Sequence, residues 1–365
     1  MTGETFVNML LPGPAEQDCD WARKTAAQLL AKSVVHSEML TSGGNNQLYK
    51  IVCEDGNAYA LKSYFQRSGH PGLGLEVEYR ALNFLHAAGL TCVPEPVTGD
   101  TEAGVGIYQF IDGSQVIGEE ATREDIDAVV EFVQRLQSVS RIDGASALPN
   151  AAEACFSFDG MIQALHKRLR VFDSIDAAPD QELLNDFLTQ QFRPLMSEVI
   201  TACESAGARE KFIVNKVLSP SDFGLHNAIK IRLNGKPQLF FLDFEYFGWD
   251  LFEKMAADFM LHPGMGLNQA LQSYFITRLT AFLPDQDAIL QRLHWVYPMS
   301  ALKWCLIMLN EFIPERMHQR KFAGDQSQNE DERRRTQLGK VNKLLAAITE
   351  NMCSYPYPET ANAGD

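Results

Sequence analysis

The stretch Val217–Asp250 reads VLSPSDFGLHNAIKIRLNGKPQLFFLDFEYFGWD, and its pattern organises everything around it. Asn234-Gly235 between two apolar runs is the strongest short-range hairpin signal in the chain. A two-residue loop there pairs Leu233 with Lys236, and the same register carried outward sets Asn227 opposite Leu242, beside Asp243. Two oxygen-bearing side chains thus converge at the open end of the hairpin, with Asp222 just ahead of its first strand. Asn227 and Asp243 suit a hard divalent cation such as Mg²⁺, which prefers oxygen ligands. Asp222 is then free to act on a substrate proton. Taken singly, the same residues also fit a turn cap and a strand end, where Asn and Asp are common.

Upstream residues add the partners that such a site needs. Ala58, Ala60 and Lys62 share one face of a strand, because side chains alternate. Two small residues beside an inward lysine leave room for a flat ligand with charge beyond it. In the next helix, Leu75, Glu78, Leu82 and Leu85 form one stripe. An acid on an apolar stripe needs a partner, since an unpaired buried charge is costly, and Lys62 is the candidate. Glu76 falls off the stripe and reads as solvated. The turn Ser42-Gly43-Gly44-Asn45-Asn46 precedes the lysine strand, and glycines there permit close backbone approach to phosphate oxygens.

The remaining pattern divides the chain. Strands over 34–42, 47–53 and 58–64 form a meander, followed by a helix over 72–88 that Gly89 ends, then strands near 93–98 and 104–111. Beyond Asp112-Gly113, helical periodicity covers 121–140, 158–172, 181–206, 266–282, 285–312 and 330–351, with one β island at 211–244. The fold class is α+β: a small β-rich N-terminal lobe, residues 1–112, and a larger, mainly helical C-terminal lobe, residues 113–365. Phe322–Arg335 reads as a solvated loop entering the last helix.

Composition narrows the function classes. The chain has 365 residues, 45% of them hydrophobic and 22% charged, which excludes disorder as its main theme. A net charge of −15 argues against nucleic acid and anionic lipid as partners. No run approaches the roughly 20 apolar residues that cross a bilayer. The opening residues lack a basic, apolar leader pattern, and the 7 cysteines form no CxxC pair. Reduced thiols and a cytoplasmic location are expected. Oligomeric state stays open.

The order of glycine-rich turn, strand lysine, helix glutamate, linker, Asp-x4-Asn, hairpin and Asp resembles the protein-kinase-like fold. Within it, the chain is most similar to the aminoglycoside phosphotransferase and choline kinase family, as a divergent subfamily, from about residue 30 to 260. Gly43–Tyr49 looks like the family's GGxxN-type turn, Ala60-Leu61-Lys62 like its strand lysine, and Glu78–Leu85 like its E-x-x-x-L-x-x-L helix. Tyr108–Gly113 resembles the hinge between lobes.

The resemblance implies a phosphotransferase using ATP or GTP and Mg²⁺ on a hydroxyl of a small-molecule acceptor. By position, Asp222 matches the catalytic base, and Asn227 and Asp243 match the metal ligands. Gly43, Gly44, Asn45 and Asn46 match the phosphate turn. Lys62, held by Glu78, would contact the α- and β-phosphates, and the backbone of Gln109 and Ile111 the adenine edge. Acids after Asp243, chiefly Glu245 and Asp250, fall where relatives place acceptor contacts. Solvation of a helix face accounts for most of that cluster, which also holds Glu253 and Asp258.

Three departures stand out. Pro220 occupies the place of the family's loop histidine, two residues before the catalytic Asp. Asp222-Phe223-Gly224 imitates the kinase Asp-Phe-Gly but precedes the hairpin. Lys254 replaces an Asp of the family's DP-x-x-D-L-A stretch. His226 reads as local packing ahead of a stand-in for the missing histidine, His262 as a helix-end residue, and Lys303, Trp304 and Met308 as core. Two rival classes use the same residues. One is a kinase-like nucleotide-binding protein without catalysis. The other is a metal-dependent hydrolase on Asp222, His226, Asp243 and His262, which leaves Lys62 and Glu78 unexplained.

Overall fold

The computed structural model describes residues 18–40, 46–65, 73–173, 175, 180–233, 235–314, 316 and 330–351. Gly43, Gly44, Asn45 and the turn residue Asn234 lie outside that set.

The N-terminal lobe is built on a five-stranded antiparallel sheet in the order β1-β2-β3-β5-β4. Its strands are β1 (Val34–Leu40), β2 (Gln47–Cys53), β3 (Ala58–Ser63), β4 (Pro96–Asp100) and β5 (Val105–Gln109). Helix α2 (Leu73–Ala87) lies between β3 and β4, and Leu75, Glu78, Leu82 and Leu85 are all buried along the expected stripe. Gly89 follows with φ +77°, a left-handed conformation that ends the helix without a side-chain penalty. One element was not anticipated: α1 (Cys19–Leu30) packs on the sheet. Asp18 caps it by accepting the Trp21 N–H, and its innermost residues are Ala22 and Ala26, both fully buried. Alanines leave little trace in a hydrophobic periodicity, so the pattern that marks other helices is faint here.

A short strand, β6 (Ser114–Gln115), leaves the N-terminal lobe and pairs with the first strand of the hairpin. Gly113 makes this approach feasible, because a Cβ there would fall 2.6 Å from the Lys230 carbonyl oxygen. The hairpin itself, β8 (Ala228–Leu233) and β9 (Lys236–Phe241), has the expected register, with Leu233 opposite Lys236 and Ile229 opposite Phe240. Leu242 N–H donates to the Asn227 carbonyl at 2.8 Å, so those two residues do face each other. A second small ladder joins β7 (Lys216–Ser219) to β10 (Gly248–Leu251).

Around these strands pack α3 (Arg123–Val139), α4 (Phe158–Asp173), α5 (Gln181–Phe187), α6 (Arg193–Ser205), α7 (Phe252–Leu261), α8 (Gln269–Thr280), α9 (Gln286–Met308) and α10 (Glu330–Asn351). The single helix expected over 181–206 is broken by a wide π turn at Leu188–Phe192. Pro194, in the first turn of α6, has no N–H to donate and crowds the carbonyl four residues back, so the ladder slips there. The helix expected over 330–351 forms α10; residues 330–335, also read as the end of a solvated loop, make its first turns, with Arg333 and Arg334 buried. No helix among the described residues is long and apolar enough to cross a membrane.

Candidate active site between the two lobes

Lys62 projects from β3 into the junction of the lobes, where its Nζ lies 2.7 Å from Glu78 Oε2 and 2.6 Å from Asp243 Oδ1. Strand alternation supplies Lys62, the buried stripe of α2 supplies Glu78, and the end of the hairpin supplies Asp243. The glutamate does more than pair. Its Oε1 accepts the backbone N–H of Phe244 at 3.1 Å, and its Oε2 also accepts the Tyr64 hydroxyl. Tyr64 in turn lies 2.6 Å from the Tyr108 hydroxyl on β5. This tyrosine pair escaped sequence reasoning, because hydrogen-bonding partners on neighbouring strands leave no periodic signal.

Electrostatics follow from the crowding. Burial works against the charge on Lys62, but Asp243, Glu78 and Glu245 outweigh it and hold its pKa well above the ordinary value. Burial first, then Glu245, Glu78 and Asp222, push the Asp243 carboxyl up to about 7 against the opposing pull of Lys62. Asp243 also takes φ +65° and Ser221 φ +71°, left-handed conformations that non-glycine residues seldom adopt and that concentrate at functional sites.

Asp222 sits on the loop between β7 and β8. Its backbone carbonyl accepts the Asn227 amide at 2.9 Å, which ties the base and metal positions of the resemblance into one turn. His226 Nε2 is 3.3 Å and His262 Nε2 3.4 Å from Asp222 Oδ1, and the two imidazoles stack in parallel with centroids 3.6 Å apart. Burial opposes ionisation of Asp222, yet the hydrogen bond from His226 and the neighbouring His262 bring its pKa down to about 2. Burial, then His226, lowers His262 to about 4, so its imidazole is neutral. His262 is the helix-end residue expected from sequence, capping the C-terminus of α7, and His226 packs against it; both also reach Asp222.

The acids after Asp243 differ from expectation. Glu245 is buried at the junction with the N-terminal lobe, where its Oε2 accepts from Asn46 Nδ2 at 2.9 Å. Asp250 is fully buried, its carboxylate shared between Lys254 Nζ at 2.6 Å and the Leu251 N–H at 2.8 Å. Asp250 therefore lies inside the helical lobe, not on a wall open to an acceptor. Solvation does not explain the cluster, because every residue of α7 is buried. Each acid of α7 has an internal cation instead: Glu253 pairs with Arg292 at 2.6 Å, and Asp258 pairs with Lys254 at 3.1 Å and Lys303 at 2.8 Å. Lys254, a departure from the family pattern, is the centre of this network.

Gln109 is the last residue of β5, and one backbone bond restricts how it could meet a base. Gln109 N–H donates to the Glu95 carbonyl at 2.8 Å, so any contact from Gln109 to a base would come from its carbonyl. Ile111 is buried beside it.

Taken with the five-stranded lobe, the helical lobe and the lysine between them, this is the two-lobed protein-kinase-like fold. No protein-family model matches the chain, and no curated protein sequence does. Solved structures do. A Plasmodium vivax ethanolamine kinase superposes with a TM-score of 0.57 at 16% identity, over 84% of this chain and 81% of that one. A spectinomycin phosphotransferase solved with ADP and spectinomycin gives 0.60 at 12%, over 92% and 99%. The choline kinase of Streptococcus pneumoniae gives 0.59 at 14%, over 90% and 98%. At such identities the likeness is one of fold.

Proposed function

We propose that the chain is a phosphotransferase that moves the terminal phosphoryl group of ATP or GTP to a hydroxyl of a small molecule. The observation that carries this reading is Lys62 held between Glu78 and Asp243 at the lobe junction, at 2.7 and 2.6 Å. A hydrolase has no use for that arrangement, whereas a nucleotide with charged phosphates does. The lobe division at Asp112-Gly113 belongs to the same proposal, supported by the close passage of Gly113 against β8. Free thiols at the six described cysteines fit a reducing, cytoplasmic setting.

Each residue then has a task. Lys62 neutralises and orients the α- and β-phosphates, with Asn46 at the base of the glycine-rich turn and the hinge carbonyl of Gln109 toward the base. Asn227 and Asp243 offer hard oxygen donors, and the negative excess that raises Asp243 is what a divalent cation offsets. Mg²⁺ bound there would neutralise charge on the phosphate oxygens. Asp222, kept ionised, accepts the acceptor's hydroxyl proton as the new oxygen–phosphorus bond forms and the bond to the leaving diphosphate breaks. Little covalent chemistry is asked of the protein; positioning and charge do the rest.

The test is nucleotide consumption with Mg²⁺ across a panel of hydroxy and amino metabolites. Asp222→Asn is expected to lower turnover about 10²- to 10⁴-fold while nucleotide affinity stays within experimental scatter. An unchanged turnover number in that variant removes Asp222 from catalysis. Nucleotide binding without consumption of any acceptor would favour the non-catalytic reading.

A further inference from the structure

Pro220 leaves the loop before Asp222 without the histidine that the resemblance places there. Two histidines from other parts of the chain reach the same carboxylate. His226 comes from the short turn Leu225–Asn227, and His262 follows the last turn of α7. Their rings are 3° from parallel, and both present Nε2 to one oxygen, Oδ1, of Asp222. The carboxylate's other oxygen is the one the imidazoles do not address.

Hydrogen bonding fixes which nitrogen of His262 carries the proton. Its Nδ1 accepts the Gly264 N–H at 3.1 Å, so Nδ1 is bare and Nε2 is protonated. The Nε2–H therefore faces Asp222 Oδ1, 3.4 Å away. The same tautomer argues against another use of the cluster. Two histidines and a carboxylate are a familiar transition-metal set, but His262 would need a bare Nε2 to ligate beside Asp222.

The pair is held from both sides. Trp304 meets His262 edge-on at 4.7 Å and 85°, and its indole N–H is anchored on Asp258 at 2.8 Å. On the other flank, His226 folds over Gly224, where a Cβ would come within 2.5 Å of the imidazole Nδ1. Only glycine at 224 lets His226 lie against His262. The His226 hydrogen bond at 3.3 Å and the His262 approach at 3.4 Å are longer than an optimal charge-assisted bond, as is common for catalytic contacts before substrate binds.

We propose that His226 and His262 are a stacked pair of positioning residues that aims Asp222, replacing from α7 and the following turn the support that Pro220 cannot give. The role rests on Asp222 being the general base of the proposed transfer. His262 is the sharper member to test, because its tautomer is fixed by the backbone.

The experiment compares the wild type with His262→Phe, which keeps a ring against His226 and Trp304 but has no N–H, and His262→Gln, which returns an amide N–H near the Nε2 position. kcat for nucleotide consumption is expected to fall about 10- to 100-fold in His262→Phe, with KM for nucleotide and the thermal midpoint little changed. His262→Gln is expected to recover a large part of kcat. Wild-type kcat in His262→Phe, or equal losses in both variants, overturns the proposal. Nitrogen-15 NMR of the imidazoles reads the same geometry without turnover. His262 is expected to show a protonated Nε2 and a bare Nδ1, with both Nε2–H signals shifting in Asp222→Ala. A proton on Nδ1 of His262 overturns the proposal whether or not phosphoryl transfer occurs. The expected imidazole signals in a protein that consumes no nucleotide would sink the transferase reading alone.

Discussion

Lys62 is 12% exposed, and its nearest charged neighbours are carboxylates: Glu78, Asp243 and Glu245. Its removal leaves negative charge buried without a counter-ion, which is costlier than never having buried the pair. Lys62→Met is therefore expected to lower stability by about 3 kcal/mol in urea unfolding and to weaken nucleotide binding at least about tenfold by calorimetry. A variant as stable as the wild type, with unaltered nucleotide affinity, would remove the lysine from the site. This pair was legible in the sequence because two independent periodicities, alternation in a strand and the stripe of a helix, each pointed an ionisable side chain inward. The approach of His262 to Asp222 was suggested only by the rival hydrolase reading, not by any local pattern. That histidine lies 40 residues from Asp222 in sequence, and only the path of α7 brings it back.

At the scale of elements, α7 carries the clearest lesson. Its three charged residues, Glu253, Lys254 and Asp258, together with Asp250 on the neighbouring β10, look like a solvated face when only sequence is considered. The helix is instead enclosed by α9 and by strands β7 and β10, and its charges are matched from α9 through Arg292 and Lys303. Sequence reasoning had no means to see the match, because complementary charges on distant helices have no fixed spacing. The hairpin was the opposite case: Asn-Gly chemistry fixed the register locally, so the pairing of Asn227 with Leu242, next to Asp243, followed from counting. Lys254 lies 2.6 Å from Asp250 and 3.1 Å from Asp258. Lys254→Met leaves Asp250 fully buried with no cation, and about 3 to 5 kcal/mol of stability is expected to be lost. Adding Asp250→Asn to that variant is expected to restore part of the loss. If the single substitution shifts the urea midpoint no more than an exposed lysine change does, the network contributes nothing to stability.

Across the whole molecule, the packing does not follow the lobes. The buried stripe of α2, with Tyr64 and Tyr108, belongs to the same apolar cluster as the helices of the C-terminal lobe. A second, small cluster gathers Ala22 and Ala26 of α1 with Tyr49, Ile51, Leu61, Val105 and Ile107 on the sheet. Polar contacts also cross the junction. They run from Lys62 to Asp243, from Glu78 to the Phe244 N–H and from Asn46 to Glu245, while the Phe241 N–H donates to the Cys92 carbonyl. The lobes are thus two halves of one cooperative body around the site, and heat is expected to unfold them in a single calorimetric transition. A ligand that binds only the folded state raises that transition by mass action, by about 2.7 kcal/mol at a hundredfold excess over its dissociation constant. Nucleotide with Mg²⁺ is expected to raise the midpoint more than nucleotide with a chelator, since the acids around Asp243 repel phosphate that carries no cation. Asp243→Ala is expected to erase the Mg²⁺-dependent increment while the transition stays single. Two resolved transitions, with only the earlier one responding to nucleotide, would show that the lobes unfold apart and that the contacts across the junction do not couple them.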